Sequence, residues 1–267
     1  MAELQLPTGR RISYDATGEG PPLLLLMGAG ESRTLWAWQI PAFASTFRVI
    51  AMDNRDCGAS VPETNPYSIA DLATDAVTLL DGLGLAQAHV LGTSMGSMIA
   101  MHLALDHPGR VDRLVLLSPL AGGLQLSAPP PEAWSNDHAD WIRGMFPMLV
   151  APGYFDTHPT ALEEIVEVGR ENRLTYDGVV HQIDAMGVFD VRNRLPEITA
   201  PTLLVVGDRD PFVPLADVQA FTAAIPHARL VTVAGAGHLT FLENAEEVNR
   251  AVLLFLSGEQ RQSAVGR

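Results

Sequence analysis

The sequence predicts an α/β fold, an eight-stranded and mostly parallel sheet with helices on both faces and a helical cap inserted in the second half. Three observations carry this reading. Eight short strand-like stretches run along the 267 residues, the first two patterned as an antiparallel hairpin and the others joined by helical text. One strand-to-helix junction reads Gly92-Thr93-Ser94-Met95-Gly96, between the apolar run His89-Val90-Leu91 and an apolar helix over residues 97–105. Finally, Gly28–Gly30, Ser94, Asp210 and His238 each fall just after a strand candidate, at the edge where open α/β sheets bind ligands.

In chain order, residues 4–6 and 11–16 flank the turn residues 7–10, and Ile12, Tyr14 and Ala16 alternate with polar residues, as an edge hairpin with one wet face would. Residues 22–27 are apolar on both faces, the pattern of a central parallel strand, and lead into the small-residue loop Gly28-Ala29-Gly30. Residues 47–52 form the next buried strand, ending at Asp53. Ser68-x-x-Asp71 opens a helix with a capping box, whose buried face carries Ile69, Leu72, Ala73, Ala76, Val77 and Leu80 and which Gly82 and Gly84 stop. Further strands fall at residues 113–118, 202–207 and 229–234, with helices at 217–224 and 244–256. Between them, residues 121–194 hold helical stretches at roughly 136–150, 158–173 and 177–187, with no convincing strand. The expected organisation is therefore a core of residues 1–120 and 195–267, interrupted by a cap over 121–194.

The glycine–serine junction is where chemistry is expected. A tight turn between strand and helix forces its middle residue into a strained conformation with the side chain clear of the sheet, and glycines on either side let neighbouring chain approach. The helix that follows directs its N-terminal amides at the serine oxygen. A serine hydroxyl is a poor nucleophile without a base, and the base needs an orienting acid. Of eight histidines, His102, His107 and His138 lie in or after helical text, His89 begins its strand, His158 and His181 lie in the insertion, and His227 precedes the last strand. His238 follows that strand in Gly235-Ala236-Gly237-His238, where small residues leave room for its ring to turn back. The acid should precede it: Asp208 could pair with Arg209, and Asp210, further into its loop, is preferred. Two backbone amides, Ala29 and Met95, are candidates for an oxyanion hole.

Composition bounds the rest. A net charge of −14 argues against nucleic acid and anionic membrane surfaces as partners. The single cysteine, Cys57, excludes an intramolecular disulfide and fits a reducing cytoplasm. No signal peptide and no bilayer-spanning apolar run is visible, so a cytoplasmic protein is expected. The polar tail, residues 257–267, is expected to fray. There is no dinucleotide fingerprint, Walker loop or Cys/His metal spacing, so neither cofactor nor metal is expected. The sequence leaves homodimer formation open.

Met27-Gly28-Ala29-Gly30, the stretch Asp53-Asn54-Arg55-Asp56-Cys57-Gly58-Ala59-Ser60, the junction around Ser94, residues 207–210 and Gly237-His238 together resemble the α/β-hydrolase superfamily over nearly the whole chain. Within it the chain is similar to enol-lactonases, aclacinomycin methylesterases and cofactor-free haloperoxidase-like esterases, whose W-x-x-Q pattern Trp36-Ala37-Trp38-Gln39 also resembles. Two departures stand out. Met27 replaces the usual histidine before glycine, making the pocket floor more apolar. Asp56 and Cys57 replace residues of the D-x-R-G-x-G-x-S pattern, so that loop is expected to change shape. Asp53 and Arg55 are read as structural partners, and Cys57 is not read as a second nucleophile.

The resemblance implies that Ser94 attacks an ester-type carbonyl, His238 shuttles the proton, Asp210 holds the imidazolium, the Ala29 and Met95 amides bind the oxyanion, and water hydrolyses the acyl-enzyme. The expected activity is that of a carboxylesterase or lactonase on a medium-sized apolar substrate. Gly28, Trp36, Met145, Phe146, Leu149, Met186, Phe189, Phe212, Val213 and Leu239 are the candidate substrate contacts. The cap lacks a dense cationic cluster, although Arg143, Arg170, Arg173, Arg192 and Arg194 leave an acidic substrate open. The alternatives are a C–C bond hydrolase using the same triad and a ligand-binding receptor on the same scaffold.

Overall fold

The computed structural model describes residues 2–5, 10–60, 62–123, 126–135 and 137–258. Of the turn expected at residues 7–10, residues 7–9 lie outside them, as do residues 259–267 of the tail expected from 257. Eight strands form one sheet in the order β1-β2-β4-β3-β5-β6-β7-β8, with β1 (Ala2–Gln5), β2 (Arg11–Thr17), β3 (Pro22–Leu26), β4 (Arg48–Met52), β5 (Ala88–Thr93), β6 (Val111–Leu117), β7 (Thr202–Gly207) and β8 (Ala228–Val233). The hairpin of β1 and β2 joins antiparallel to β4, and every other pairing is parallel. The outer face of β2 is less wet than its alternation suggests. Ser13 is buried because its carbonyl accepts the Asp53 N–H and its N–H donates to Ser60 Oγ.

Why the central strands read as unbroken apolar runs is clear from the two cores they feed. Leu24, Leu26, Ile50, Met52, Val90, Leu114, Leu116, Leu204 and Val206 point to one side, against helices α2 (Ile69–Gly82), α3 (Met95–Asp106) and α8 (Leu215–Ala224). Leu23, Leu25, Val49, Ala51, Leu91, Val115, Leu117, Leu203 and Val205 point to the other, against α1 (Ile40–Phe43) and α10 (Ala245–Leu256). Successive residues of a strand face opposite ways, so a strand covered on both faces has no polar positions to spare. At the start of α2, Ser68 and Asp71 form the complete capping box.

Between β6 and β7 the chain forms α4 (His138–Leu149), α5 (Tyr154–Thr157), α6 (Ala161–Gly169) and α7 (Tyr176–Gly187). This cap packs on both sheet cores and builds one small cluster of Leu174 and Val179 around Cys57 of the core. Ile142, Phe146, Ile165 and Val166 join one sheet core, and Ala185, Met186 and Phe189 join the other. Its two ends are stapled by a bridge between Gly122 and Asp190 and by Val191 N–H donating to Ala121 C=O at 2.9 Å. No described helix is long and apolar enough to cross a membrane.

In the Asp53–Ser60 loop, Asp56, where the family pattern has glycine, adopts φ 64°, a conformation that favours glycine. The Asp56 carboxylate accepts the Glu63 N–H at 2.6 Å and lies 3.3 Å from His181 Nδ1 on α7. Asp53 and Arg55 are structural. Asp53 binds Arg33 and the Ala59 N–H, and Arg55 binds Asp75 at 2.6 and 3.0 Å. Cys57 is fully buried, and that burial pushes its thiol well above the ordinary range.

Leu24 is completely buried at the centre of the sheet. Leu24→Ala is expected to cost about 2–5 kcal/mol of stability, against about 1 kcal/mol for Ser68→Ala at the helix cap, both read from urea denaturation midpoints.

Candidate active site

The turn between β5 and α3 holds Ser94 at φ 53° and ψ −120°. A Cβ on Gly92 would sit 2.0 Å from the Gly96 carbonyl oxygen, and one on Gly96 would sit 2.0 Å from that of Leu26. Both positions therefore require glycine for close backbone approach. The Ser94 N–H donates to Leu117 C=O on β6 at 3.1 Å, and its carbonyl accepts from the N–H and Oγ of Ser97 at 2.8 and 2.6 Å. Both backbone groups thus serve to anchor the turn, which leaves the hydroxyl for the cavity.

Two other loops converge on it. His238 Nε2 lies 2.9 Å from Ser94 Oγ, and its Nδ1 lies 2.9 Å from Asp210 Oδ2. The other oxygen of Asp210 accepts the Phe212 and Val213 N–H groups, each at 2.9 Å, which fixes the carboxylate towards the ring. Asp208 turns elsewhere and accepts the Gly235 N–H at 2.7 Å. Five of the seven competing histidines have partners other than Ser94: His138 beside Glu31, His181 beside Asp56, His102 beside Asp106, His89 beside Asp112 and His158 stacked on Tyr154.

Three supports of His238 are not evident in the sequence. Ser118, at φ 46°, donates its hydroxyl to the His238 carbonyl at 2.7 Å. The His238 N–H donates to Leu149 C=O, at the end of α4, also at 2.7 Å. Glu243, in the short helix α9 (Thr240–Glu243), accepts the Ala151 N–H at 2.8 Å and the Gly237 N–H at 3.0 Å. Burial raises the Glu243 carboxyl, and these N–H bonds pull it back. Any polar residue following β6 or His238 would have read the same way in sequence, so nothing local singles these out.

Ser94 and His238 open into a cavity lined largely by apolar side chains. Of the expected contacts, Gly28, Met145, Phe146, Leu149, Met186, Phe212 and Leu239 line it, as does Ala29. Trp36, Phe189 and Val213 do not. Trp36 is fully buried and packs its ring against Phe241 at 5.2 Å; Phe189 packs in the core beside the His102 ring of α3; the Val213 side chain is buried in the core while its N–H serves Asp210. Met27, expected at the pocket floor, lines the cavity too; lining residues not anticipated include Glu31, Leu35, Thr93, Leu120, Leu126, Trp141, Ile183 and Phe241. The amides of Ala29 and Met95 have no acceptor among the described residues; that of Met95 is the first of its helix, which no helical carbonyl can reach.

The sequence matches the family described as alpha/beta hydrolase fold over residues 21–166, and one described as TAP-like protein over 181–263. The chain belongs to the α/β-hydrolase family. This hydrolase is 33% identical over 250 residues to a protein of Caulobacter sp. (strain K31) named as the carbamate hydrolase RutD, covering 89% of this chain and 91% of that one. It is 33% identical over 266 residues to a Pseudomonas putida 2-hydroxy-6-oxononadienedioate/2-hydroxy-6-oxononatrienedioate hydrolase, covering 92% and 91%. Its structure superposes on that of the enol-lactonase from Burkholderia xenovorans LB400 with a TM-score of 0.84 at 27% identity, covering 96% and 100%.

The electrostatics of the hydrolase cavity are set by what is missing from its wall. The chain has no lysine, and among the described residues no arginine lines the cavity. Arg143, Arg170, Arg192 and Arg194 are spent on Glu163, Glu167, Asp190, and Asp106 with Glu197, and Arg173 is exposed. The one carboxyl among the lining residues is Glu31, whose oxygens lie 3.0 Å from His138 Nε2 and 3.1 Å from Trp141 Nε1. Burial lifts Glu31 above the ordinary glutamate value of 4.5, outweighing both partners. The folded protein therefore holds this proton more tightly than the unfolded chain does, so stability falls as pH rises through the raised value. Glu31→Gln is expected to remove that loss: measured by urea melts, the variant should gain stability relative to the parent as pH rises from 4.5 towards neutrality.

Proposed function

We propose that this hydrolase cleaves a neutral, medium-sized carboxylic ester or lactone through an acyl-enzyme on Ser94. The observation that carries the reading is the continuous Asp210–His238–Ser94 relay, with links of 2.9 Å, opening into an apolar cavity. In this reading His238 Nε2 takes the Ser94 hydroxyl proton as Oγ attacks the carbonyl carbon. The electron pair moves to the carbonyl oxygen, and the Ala29 and Met95 amides receive the oxyanion. Each such donor is worth about 2.7–4 kcal/mol of barrier. As the intermediate collapses, the proton on His238 passes to the departing alkoxide, which in a lactone stays tethered to the acyl group. Water, deprotonated by His238, then attacks the acyl carbon, and as the bond to Ser94 Oγ breaks His238 returns the proton to that oxygen, releasing the acid. Asp210 holds the ring in the tautomer and orientation both steps need.

Likeness to the Burkholderia enol-lactonase supports the lactone reading. Likeness to the Pseudomonas putida dienedioate hydrolase favours a second reading, in which the same serine machinery breaks a C–C bond. That no described arginine lines the cavity of a chain without lysine weighs against a dianionic substrate, because a carboxylate carried into an apolar wall without a cation pays for desolvation uncompensated.

The test is hydrolysis of short and medium p-nitrophenyl esters, neutral lactones and one dicarboxylate lactone. The parent should turn over the neutral substrates, prefer them to the dicarboxylate, and lose turnover to background in Ser94→Ala. Asp210→Asn should lower kcat by about 10³–10⁴-fold, as expected when the base loses its orienting carboxylate. Turnover confined to ring-cleavage products would favour the C–C reading instead.

A further inference from the structure

Two side chains of the cap, Gln182 and Asn172, hold the loop that carries Ala29. Gly30, at φ 77°, donates its N–H to Gln182 Oε1 at 2.7 Å, and its carbonyl accepts from Asn172 Nδ2 at 2.7 Å. On the other side of Ala29, the Met27 carbonyl accepts from Asn54 Nδ2 at 2.9 Å. The peptide that presents the Ala29 N–H is thus the free link between two anchored peptides. The anchors on either side fix its two ends, so that its remaining freedom is to turn about the line joining the Gly28 and Ala29 Cα atoms.

The anchors are themselves anchored. Gln182 Nε2 donates to Arg55 C=O at 2.9 Å, and Asn172 Oδ1 accepts the Gly58 N–H at 2.6 Å. Both amide side chains are buried, and each therefore bridges the cap to two core loops with donor and acceptor both in use. The Trp141 ring closes over the turn, so that a Cβ on Gly30 would meet it at 2.9 Å. A buried amide satisfied at both ends has one favourable orientation, and it passes that orientation to the peptide it binds.

We propose that Gln182 and Asn172 are positioning residues for the oxyanion site: the cap, by fixing the Gly30 peptides, aims the Ala29 N–H at the place where negative charge develops on the substrate. This rests on the oxyanion role proposed for Ala29. A donor that must sit about 3 Å from the oxyanion loses most of its effect when displaced by about 1 Å.

The test uses the full chain and a fluorophosphonate probe, which needs no knowledge of the natural substrate. Ser94 Oγ attacks phosphorus, the hydroxyl proton passes to His238, fluoride leaves, and the phosphoryl oxygen occupies the oxyanion site. Labelling of the parent but not of Ser94→Ala establishes the nucleophile; absence of labelling in the folded parent would overturn the serine-hydrolase reading itself, and the inference with it. Given labelling, Gln182→Met and Asn172→Leu, which keep side-chain bulk and remove the amides, are expected to lower the maximal labelling rate about 10- to 100-fold. The half-saturating probe concentration should change less than about threefold, since the apolar wall is untouched. A merely structural role predicts lower melting temperature and fewer titratable sites, with an unchanged rate per titratable site. That result, or loss of fold in both variants, would overturn the proposal.

Discussion

Ser94 is held in a backbone conformation that non-glycine residues avoid, and the rest of the site is arranged around keeping it there. A conformation of that kind costs about 1–3 kcal/mol and persists only where the surroundings permit nothing else. Here the surroundings are backbone against backbone. Gly92 faces the Gly96 carbonyl and Gly96 faces the Leu26 carbonyl, each without room for a methyl group, so β3, β5 and α3 meet at the smallest separation the chain allows. That contact places the serine above the sheet edge and the first amide of α3 beside it. The completely buried residues of β3, β5 and α3 supply the apolar burial that offsets the strain.

The same economy of space governs the junction between sheet and cap. His238 is held from below by Ser118 and from above by the Leu149 carbonyl, while Glu243 ties the Gly237 and Ala151 amides together. A Cβ on Gly237 would meet Ala151 N at 2.4 Å. The imidazole is therefore set partly by the core and partly by the last turn of α4, and a shift of that turn would be felt at the ring. On the opposite wall the Gly30 loop depends on α7 and the segment before it in the same manner. Polar groups buried in this way are costly to orphan, which makes the seam between cap and core resistant to opening at these points.

What could be read from the sequence follows from how local its cause is. The strands were legible because β3 to β7 are covered on both faces, which leaves continuous apolar runs bounded by turn residues. The Ser94 turn was legible because its glycines act on neighbours within a few residues. The helix at Ser68 announced itself through its own cap. By contrast, α1 and α9 are four residues each, and the 3₁₀ stretch Arg33–Trp38 is six, too short for a period to show. Trp36 illustrates the limit on contacts: its place near the Gly28–Gly30 loop suggested the cavity, but it packs against Phe241, a residue 205 positions later. Gln182 and Asn172 meet Gly30 across 152 and 142 residues. No spacing encodes such a meeting, and an Asn or Gln in helical text is ordinarily a solvated residue.

The seam also bears on how such a chain can change its specificity over evolutionary time. Side chains that only line the cavity, such as Met145 and Ile183, can be exchanged one at a time, since each answers to packing alone. The insertion as a whole is not a portable module. A transplanted cap would have to arrive with a carbonyl at the height of Leu149 and amides at the positions of Gln182 and Asn172, or the host scaffold would keep its serine and lose the alignment around it. The wall can thus vary residue by residue, whereas the polar contacts of the seam can be replaced only as a set.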